Sequence, residues 1–269
     1  SYQYYNLINY YTGLFTFGDG AANNLAYTIN LTRNNTRINP IFPTGGSTFS
    51  ISGKFTPPYS LFSGTDYTSL GDLPEFQDEL GNPDVEKIDQ EKFRWLEFYK
   101  IKFNGTWYTP IYEKLVLKTQ ADFGFIGAYN LSRGNIPFER FFLGGDGMVS
   151  YALDGRETIA LRGYPNQSLS SRDGSVIYNK FSLELRYPIT LKPSASIYAL
   201  TFLEAGKGYD TFREFNPFVS KRSAGAGVRI FMPAFGLLGI DFGYGFDNVN
   251  SNLSTPNGWE THFVIGQRF

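Results

Sequence analysis

Apolar and polar residues alternate along the last segment of the chain, residues 259–269. A period of two places successive side chains on opposite faces of an extended strand, and one face here is mostly apolar. The apolar positions of that face are Trp259, Phe263, Ile265 and Phe269. A strand at a chain end needs neighbours that satisfy its backbone groups, as a closed barrel provides. The pattern predicts a barrel strand with one face suited to lipid.

About ten segments carry the same alternation, each roughly the 9 to 11 residues that a tilted strand needs to cross a bilayer. In 179–187, Leu183 and Leu185 oppose Glu184 and Arg186, so charged side chains would line an interior. The other candidates are 24–33, 47–56, 95–104, 114–126, 195–205, 222–232, 236–246 and 259–269, together with 5–17, which is aromatic-rich and poorly phased. The sequence therefore predicts an all-β fold, a transmembrane antiparallel β-barrel built from about ten strands of one domain, 1–269.

The connections between these segments differ in length. Short links at 109–112, 188–193 and 232–235 alternate with long ones at about 57–92, about 128–177, about 206–221 and 247–258. Short periplasmic turns and long outer loops are typical of outer-membrane barrels, and ten strands would place both chain ends in the periplasm. The acidic run 72–91 is interpreted as part of a solvated outer loop rather than a metal site.

Composition agrees with this interpretation. The mean hydropathy of −0.26 is too polar for a helical membrane protein. The most apolar stretch, Ile230 to Ile240, has about half of the roughly 20 residues that a spanning helix needs. With no cysteine and a net charge of −1, neither thiolate chemistry nor a dedicated nucleic-acid binder is indicated. The start at Ser1 is neither an initiator Met nor a signal peptide, which predicts a mature chain or a fragment.

Several motifs occur in a fixed order. The segment 137–145 ends in the pair Gly144 and Gly145, and a tetrad, Leu161-Arg162-Gly163-Tyr164, follows it. Further motifs are 39–47 with an F-P-x-x-G core, 182–188, 202–206, 222–229, 233–239 and 263–269. In these motifs and their spacing, the chain resembles the BamA-type family of outer-membrane assembly factors, within the bacterial surface antigen and two-partner-secretion transporter superfamily. Leu161 departs conservatively from the family's β-branched first position.

The resemblance implies that the tetrad's loop folds back into the barrel and that Arg162 is held against the inner wall. A buried guanidinium needs carboxylate partners in a fixed geometry, and the candidates are inward-facing Glu184 and, less securely phased, Glu204. Gly163 would let the backbone turn sharply, and Tyr164 would supply an aromatic ring with a polar tip. The alternative for an arginine in a long loop is full solvation.

The resemblance also implies a function: insertion and folding of other barrel proteins in the outer membrane of a Gram-negative bacterium, without cofactor or covalent chemistry. The family's barrel has sixteen strands and is preceded by periplasmic domains, so this chain would be its C-terminal portion. The implied partners are unfolded outer-membrane barrel clients, the lipid bilayer, and accessory lipoproteins or surface proteins of an assembly complex. The C-terminus would lie at the periplasmic side.

The last strand would form one side of the barrel seam, where an edge can template a client strand. Glycines weaken strand interiors, so Gly258 and Gly266 are expected to soften this strand's pairing. Phe269 is expected either to serve recognition of the chain during its own assembly or to be an interfacial aromatic residue.

Three other functions compete with this prediction. A two-partner-secretion channel would share the tetrad and the terminal strand, and a passive pore would share the barrel. An enzyme is not indicated, because the sole histidine, His262, lies within a strand beside no recognisable nucleophile motif. Glycines 225, 227, 239, 243 and 245 occur at strand spacing, which favours close packing in the wall over a phosphate-binding loop.

Overall fold

The computed structural model describes residues 1–8, 19–36, 39–136, 138–148, 156–192, 194–249 and 255–266. It is dominated by antiparallel strands, which confirms the predicted all-β class. In chain order the strands are β1 (Tyr2–Leu7), β2 (Gly20–Leu25), β3 (Tyr27–Asn34), β4 (Gly46–Phe55), β5 (Tyr99–Tyr112), β6 (Leu115–Gly127), β7 (Phe141–Leu143), β8 (Glu157–Ile159), β9 (Ile177–Lys192), β10 (Ala195–Tyr209), β11 (Lys221–Met232), β12 (Gly236–Gly245) and β13 (Gly258–Ile265).

Nine of these strands form one sheet in the order β13-β12-β11-β10-β9-β6-β5-β4-β3. Every neighbouring pair is antiparallel, and β9 follows β6 directly in the sheet although a long loop separates them in the chain. The strands β1 and β2 form a separate antiparallel pair, with β2 followed after Ala26 by β3. Within the described residues the edge strands β3 and β13 do not pair with each other. The sheet is therefore an open portion of a barrel wall.

The two faces of the sheet differ as the alternation predicts. On β9, Leu183 and Leu185 are exposed on what we call the outer face, while Glu184 and Arg186 are buried on the opposite, inner face. Other exposed apolar side chains of the strands include Ile29, Leu31, Ile51, Leu203, Ile230, Phe242, Phe263 and Ile265. An apolar outer face and a polar inner face are the arrangement of a transmembrane barrel.

The short links and the long links lie at opposite ends of the sheet. At the end that we call the short-turn end lie the links 35–45, 113–114, 193–194 and 233–235, and at the long-loop end lie 56–98, 128–176, 210–220 and 246–257. The link 56–98 contains helices α1 (Ser60–Ser63) and α2 (Val85–Phe93), and the link 128–176 contains the short parallel pair β7 and β8. Among the described residues, no helix is both long and apolar enough to cross a membrane.

Several predicted strand boundaries were wrong at the short-turn end. The segment 109–112 belongs to β5, and β9 continues to Lys192, because Pro110 and Pro188 are accommodated within the strands instead of ending them. Each proline lies beside a register shift in the pairing, where a missing N–H is tolerated. At its other end β5 starts at Tyr99, not at residue 95.

The first candidate strand and two predicted turns are only partly described. Of the segment 5–17, β1 covers the beginning, and 9–18 lie outside the described residues. The predicted strand 24–33 is divided at Ala26 between β2 and β3. Pro137, Pro193 and residues 267–269, including Phe269, also lie outside the described residues.

Candidate functional site

The tetrad lies on the inner face of the wall, in the link between β6 and β9. Leu161 is fully buried and pairs with Gly145 through two backbone hydrogen bonds of 3.1 Å. A Cβ atom at Gly144 would lie 2.5 Å from the carbonyl oxygen of Pro165, and one at Gly145 would overlap the side chain of Asn166. The Gly-Gly pair therefore lets the loop pack against the residues that directly follow the tetrad.

Arg162 reaches three strands of the wall. Its Nη2 donates to Glu184 Oε1 on β9 at 2.8 Å and to Glu204 Oε1 on β10 at 2.7 Å. Its Nη1 donates to Asp241 Oδ2 on β12 at 3.3 Å, and its backbone N–H donates to the second oxygen of Glu204 at 2.9 Å. All four side chains are buried. The two residues proposed as partners from the sequence thus contact Arg162, together with a third carboxylate.

Further cations complete this cluster. Arg229 on β11 binds Asp241 through two parallel hydrogen bonds of 2.7 and 2.6 Å. Arg186 binds Glu184 from the neighbouring inward position of β9, with 2.8 Å between Nε and Oε2. Lys180 Nζ lies 3.3 Å from Glu204. Because each carboxylate is shared between cations, buried charges of both signs are compensated, which is the condition for holding them away from water.

The guanidinium of Arg162 also stacks on an aromatic ring. Its central carbon lies 3.7 Å from the ring centroid of Phe202, which faces inward on β10. Cation–π contacts of desolvated groups contribute about 2 kcal/mol. Burial disfavours the charged guanidinium, but the carboxylates of Glu204 and Glu184 outweigh that effect and raise the pKa of Arg162 above its ordinary value. The residue is therefore a permanent cation.

Gly163 makes the closest approach of the loop to the wall. Its φ of +85° is in the left-handed region, and an added Cβ would lie 2.9 Å from Ser223 Cβ and 3.0 Å from the backbone N of Gly245. Its N–H donates to Nε2 of His262 at 2.8 Å, and its carbonyl accepts from the Asn257 amide at 2.9 Å. Only glycine combines this conformation with this contact.

Tyr164 extends the contact to the long-loop end. Its ring is fully buried, and its hydroxyl donates to the carbonyl oxygen of Arg222 at 2.6 Å. The same hydroxyl accepts from the backbone N–H of Asp247 at 3.3 Å. Burial raises the pKa of Tyr164 to about 12. The tyrosine thus stays a neutral donor that bridges β11 and the segment after β12.

Together, the tetrad contacts β9, β10, β11, β12 and β13. Such an arrangement can fix the relative position of five strands and of a loop, because the contacts are geometrically specific and those of Arg162 are buried. Nε2 of His262 accepts the backbone N–H of Gly163, so this imidazole serves as a hydrogen-bond acceptor that holds the loop. In the described part of the chain, no group of three or more His, Cys, Asp or Glu side chains is placed to hold a metal ion.

The terminal strand forms the edge next to this cluster. Trp259, Phe263 and Ile265 are exposed on its outer face, while His262 is buried on its inner face. Gly258 is the first residue of β13 and Gly266 follows its last. Both glycines lie at the ends of the strand instead of its interior, and a softening of the strand's pairing by them stays a prediction.

Several residues of this site were not assigned to it from the sequence, among them Arg229, Asp241, Phe202 and His262. Arg229 and Asp241 lie in glycine-rich strands whose phase is hard to read, and Phe202 was noted only as part of a motif. Space for the Arg229–Asp241 pair comes from Gly227 and Gly239, since a Cβ there would overlap Asp241 and Arg229, respectively. The sequence feature that could have identified this pair is a charged residue at an inward-facing position, paired with a glycine on the neighbouring strand.

The architecture defines an outer-membrane-type barrel wall with a long loop fixed inside it. The model of the Omp85 superfamily domain matches residues 2–269. The chain therefore belongs to the Omp85 superfamily, whose barrels insert or transport proteins at the outer membrane. The resemblance predicted from the motifs is confirmed at this level.

The fold is similar to a solved structure, "The crystal structure of BamA from Haemophilus ducreyi lacking POTRA domains 1-3". The TM-score is 0.57 at 20% sequence identity, and the match covers 90% of this chain and 42% of that chain. At this identity the likeness concerns the fold. The chain spans less than half the length of that BamA chain. A comparison with curated protein sequences gave no match.

Proposed function

We propose that this chain is the C-terminal barrel portion of an outer-membrane protein assembly factor, and that it acts by templating client strands along β13. The observation that carries the proposal is the coupling of an edge strand to the tetrad. Among the described residues β13 pairs with β12 alone, and its inner face contacts the loop through the hydrogen bond between His262 and Gly163. An edge strand with a fixed inner face offers its backbone groups to an incoming strand without losing its own position.

The apolar outer face supports the membrane setting of this function. Trp259, Phe263 and Ile265 of β13 are exposed beside Phe242 of β12, as lipid contact requires. In hydrocarbon an unpaired strand edge is costly, so a client strand that pairs with it gains stability. The proposed orientation places the long-loop end outside the cell and the C-terminus in the periplasm, where accessory lipoproteins of an assembly complex would bind.

Site-specific photo-crosslinking in the full-length protein tests the templating step. A photoreactive amino acid replaces Phe263 on β13 in one variant and Leu183 on β9 in a matched control; both positions are exposed on the outer face. With a client stalled during assembly, we expect crosslinks from the Phe263 position and few from the Leu183 position. Equal yields from both would contradict templating at β13.

Depletion in the host separates the assembly factor from its rivals. A general fall in barrel proteins of the outer membrane supports the assembly function. Loss of a single exported protein would instead assign the chain to the two-partner-secretion channels, which share the tetrad. A change in solute uptake alone would assign it to passive pores.

A further inference from the structure

The link between β3 and β4 is the longest connection at the short-turn end, and local hydrogen bonds and prolines hold its residues 39–45. Oδ1 of Asn39 accepts from the backbone N–H of Ile41 at 2.9 Å and of Phe42 at 3.2 Å, which closes an Asx turn. Pro40 and Pro43 restrict the backbone on both sides of these residues. A turn with these constraints presents the Phe42 side chain in a defined direction.

Phe42 points into the lumen and reaches the opposite part of the wall. Its side chain is 1% exposed and lies in an apolar cluster with Val116, Tyr198, Leu200 and Phe202. The ring centroids of Phe42 and Tyr198 are 5.3 Å apart in an edge-on arrangement. Strands β5, β6 and β9 separate β4 from β10 in the sheet, a path of about 19 Å along the wall at a spacing of about 4.8 Å per strand. The turn therefore spans the lumen directly between β4 and β10, without following the wall.

The cluster around Phe42 adjoins the charged cluster of the tetrad. Phe202, one member of it, is the ring on which the Arg162 guanidinium stacks. Tyr198, another member, lies 5.5 Å from the guanidinium carbon of Arg186, which in turn binds Glu184. Two of the rings that Phe42 packs with thus contact the cations of the charged cluster directly.

We propose that the β3–β4 turn is a plug at the short-turn end of the lumen, and that Phe42 is a positioning residue for Arg162. The turn closes this part of the lumen with apolar side chains, beside the cavity that the ion pairs line. By packing with Phe202 and Tyr198, Phe42 holds the rings that support both arginines. The proposal concerns the lumen and stands whether the barrel assembles or exports proteins.

Conductance of the purified full-length protein in planar bilayers tests the plug. The Phe42→Ala variant removes the ring from the lumen, and Phe49→Ala removes a ring of the same size from the outer side of β4, where Phe49 packs on Trp107. We expect a several-fold higher conductance for Phe42→Ala, with Phe49→Ala and Phe42→Leu near wild type. Wild-type conductance of Phe42→Ala would overturn the proposal.

Labelling provides a readout that does not require the alanine variant to assemble. The chain has no cysteine, so a single one can be introduced. In folded protein, we expect Phe42→Cys to resist a bulky maleimide and Thr44→Cys, on the exposed side of the same turn, to react fully. Equal labelling rates at the two positions would show an open turn and overturn the plug.

The positioning role predicts coupling to the tetrad. We expect the loss of thermal stability in a Phe42→Ala/Arg162→Ala double variant to be smaller than the sum of the single losses, because each change already disturbs the Phe202 platform. Strict additivity would show that Phe42 does not act through Arg162.

Discussion

The two longest loops are both fixed by a buried arginine, but the arginines bind different kinds of partner. Arg162 in the β6–β9 loop binds carboxylates on β9, β10 and β12. Arg133, from the same loop, binds Glu97 at 2.8 Å and the backbone carbonyls of Lys92 and Trp95 at the end of the β4–β5 loop. The first contact fixes a loop to the wall, and the second fixes one loop to another.

This difference separates two functions of buried charge. The three carboxylates around Arg162 belong to strands, so their positions follow the register of the sheet. The carbonyls around Arg133 belong to a loop whose longer helix, α2, has no buried residue and is capped by Asp84. The position of the tetrad therefore depends on the barrel wall, whereas that of the β4–β5 loop depends on its contact with the neighbouring loop.

The largest expected effect is that of Arg162→Ala. Removing this cation leaves Glu204 and Asp241 buried with fewer positive partners, and breaking a buried ion pair costs about 3 to 5 kcal/mol. We expect a lower unfolding transition of the detergent-solubilised barrel, measured by heat-dependent electrophoretic mobility, and loss of growth complementation.

A lysine at this position serves as the matched control. Arg162→Lys keeps the charge but loses the planar fork that reaches several carboxylates at once, so its transition should lie between those of wild type and Arg162→Ala. An unchanged transition of Arg162→Ala together with unchanged complementation would contradict the role of the tetrad as a wall contact.

A smaller and more local effect is expected for Arg133→Ala. The change leaves the Glu97 carboxylate buried with only the Ser60 backbone N–H and hydroxyl as described hydrogen-bond donors. We expect a loss of about 3 kcal/mol, at the low end for a buried pair, confined to the loops. Faster hydrogen exchange in 57–98 with unchanged exchange in β9 and β10 would agree. Equally faster exchange in β9 and β10 would show that the Arg133 contact also supports the barrel wall, which would contradict the separation of the two contacts.

Much of the fold follows from local pattern. The outer face of β9 is predicted correctly because one face of the strand is buried and the other faces lipid. Apolar and polar residues must therefore alternate strictly along it. Strand ends are predicted poorly, since Pro110 and Pro188 look like breakers and only their place beside a register shift shows otherwise. Glycine-rich β11 and β12 give little phase information, which is why Asp241 was missed.

The candidate site is less predictable because its contacts span large sequence separations. Arg162 lies 79 residues from Asp241, and Gly163 lies 99 residues from His262. A motif shows that the tetrad belongs in the lumen, but the identity of its acceptors depends on the order and register of five strands. Glu184 and Glu204 were predicted as partners because they are negatively charged and occupy inward-facing positions of their strands. Phe202 carries no charge, so the same reasoning could not identify it.

The smallest effect is expected for His262 on the edge strand β13, and it tests whether the wall contact of the tetrad extends to this strand. In His262→Leu the Gly163 N–H loses its acceptor, and leaving a buried donor unpaired costs about 1 to 3 kcal/mol. We expect faster hydrogen exchange in β13 and at the tetrad, with Arg133 and the β4–β5 loop unaffected. His262→Gln supplies an amide oxygen that can accept the same hydrogen bond, so it should restore most of the protection. If the two variants show equal hydrogen-exchange rates, the hydrogen bond to the imidazole does not hold the loop. The contact between the loop and the edge strand would then depend on the hydrogen bond from the Asn257 amide to the carbonyl of Gly163.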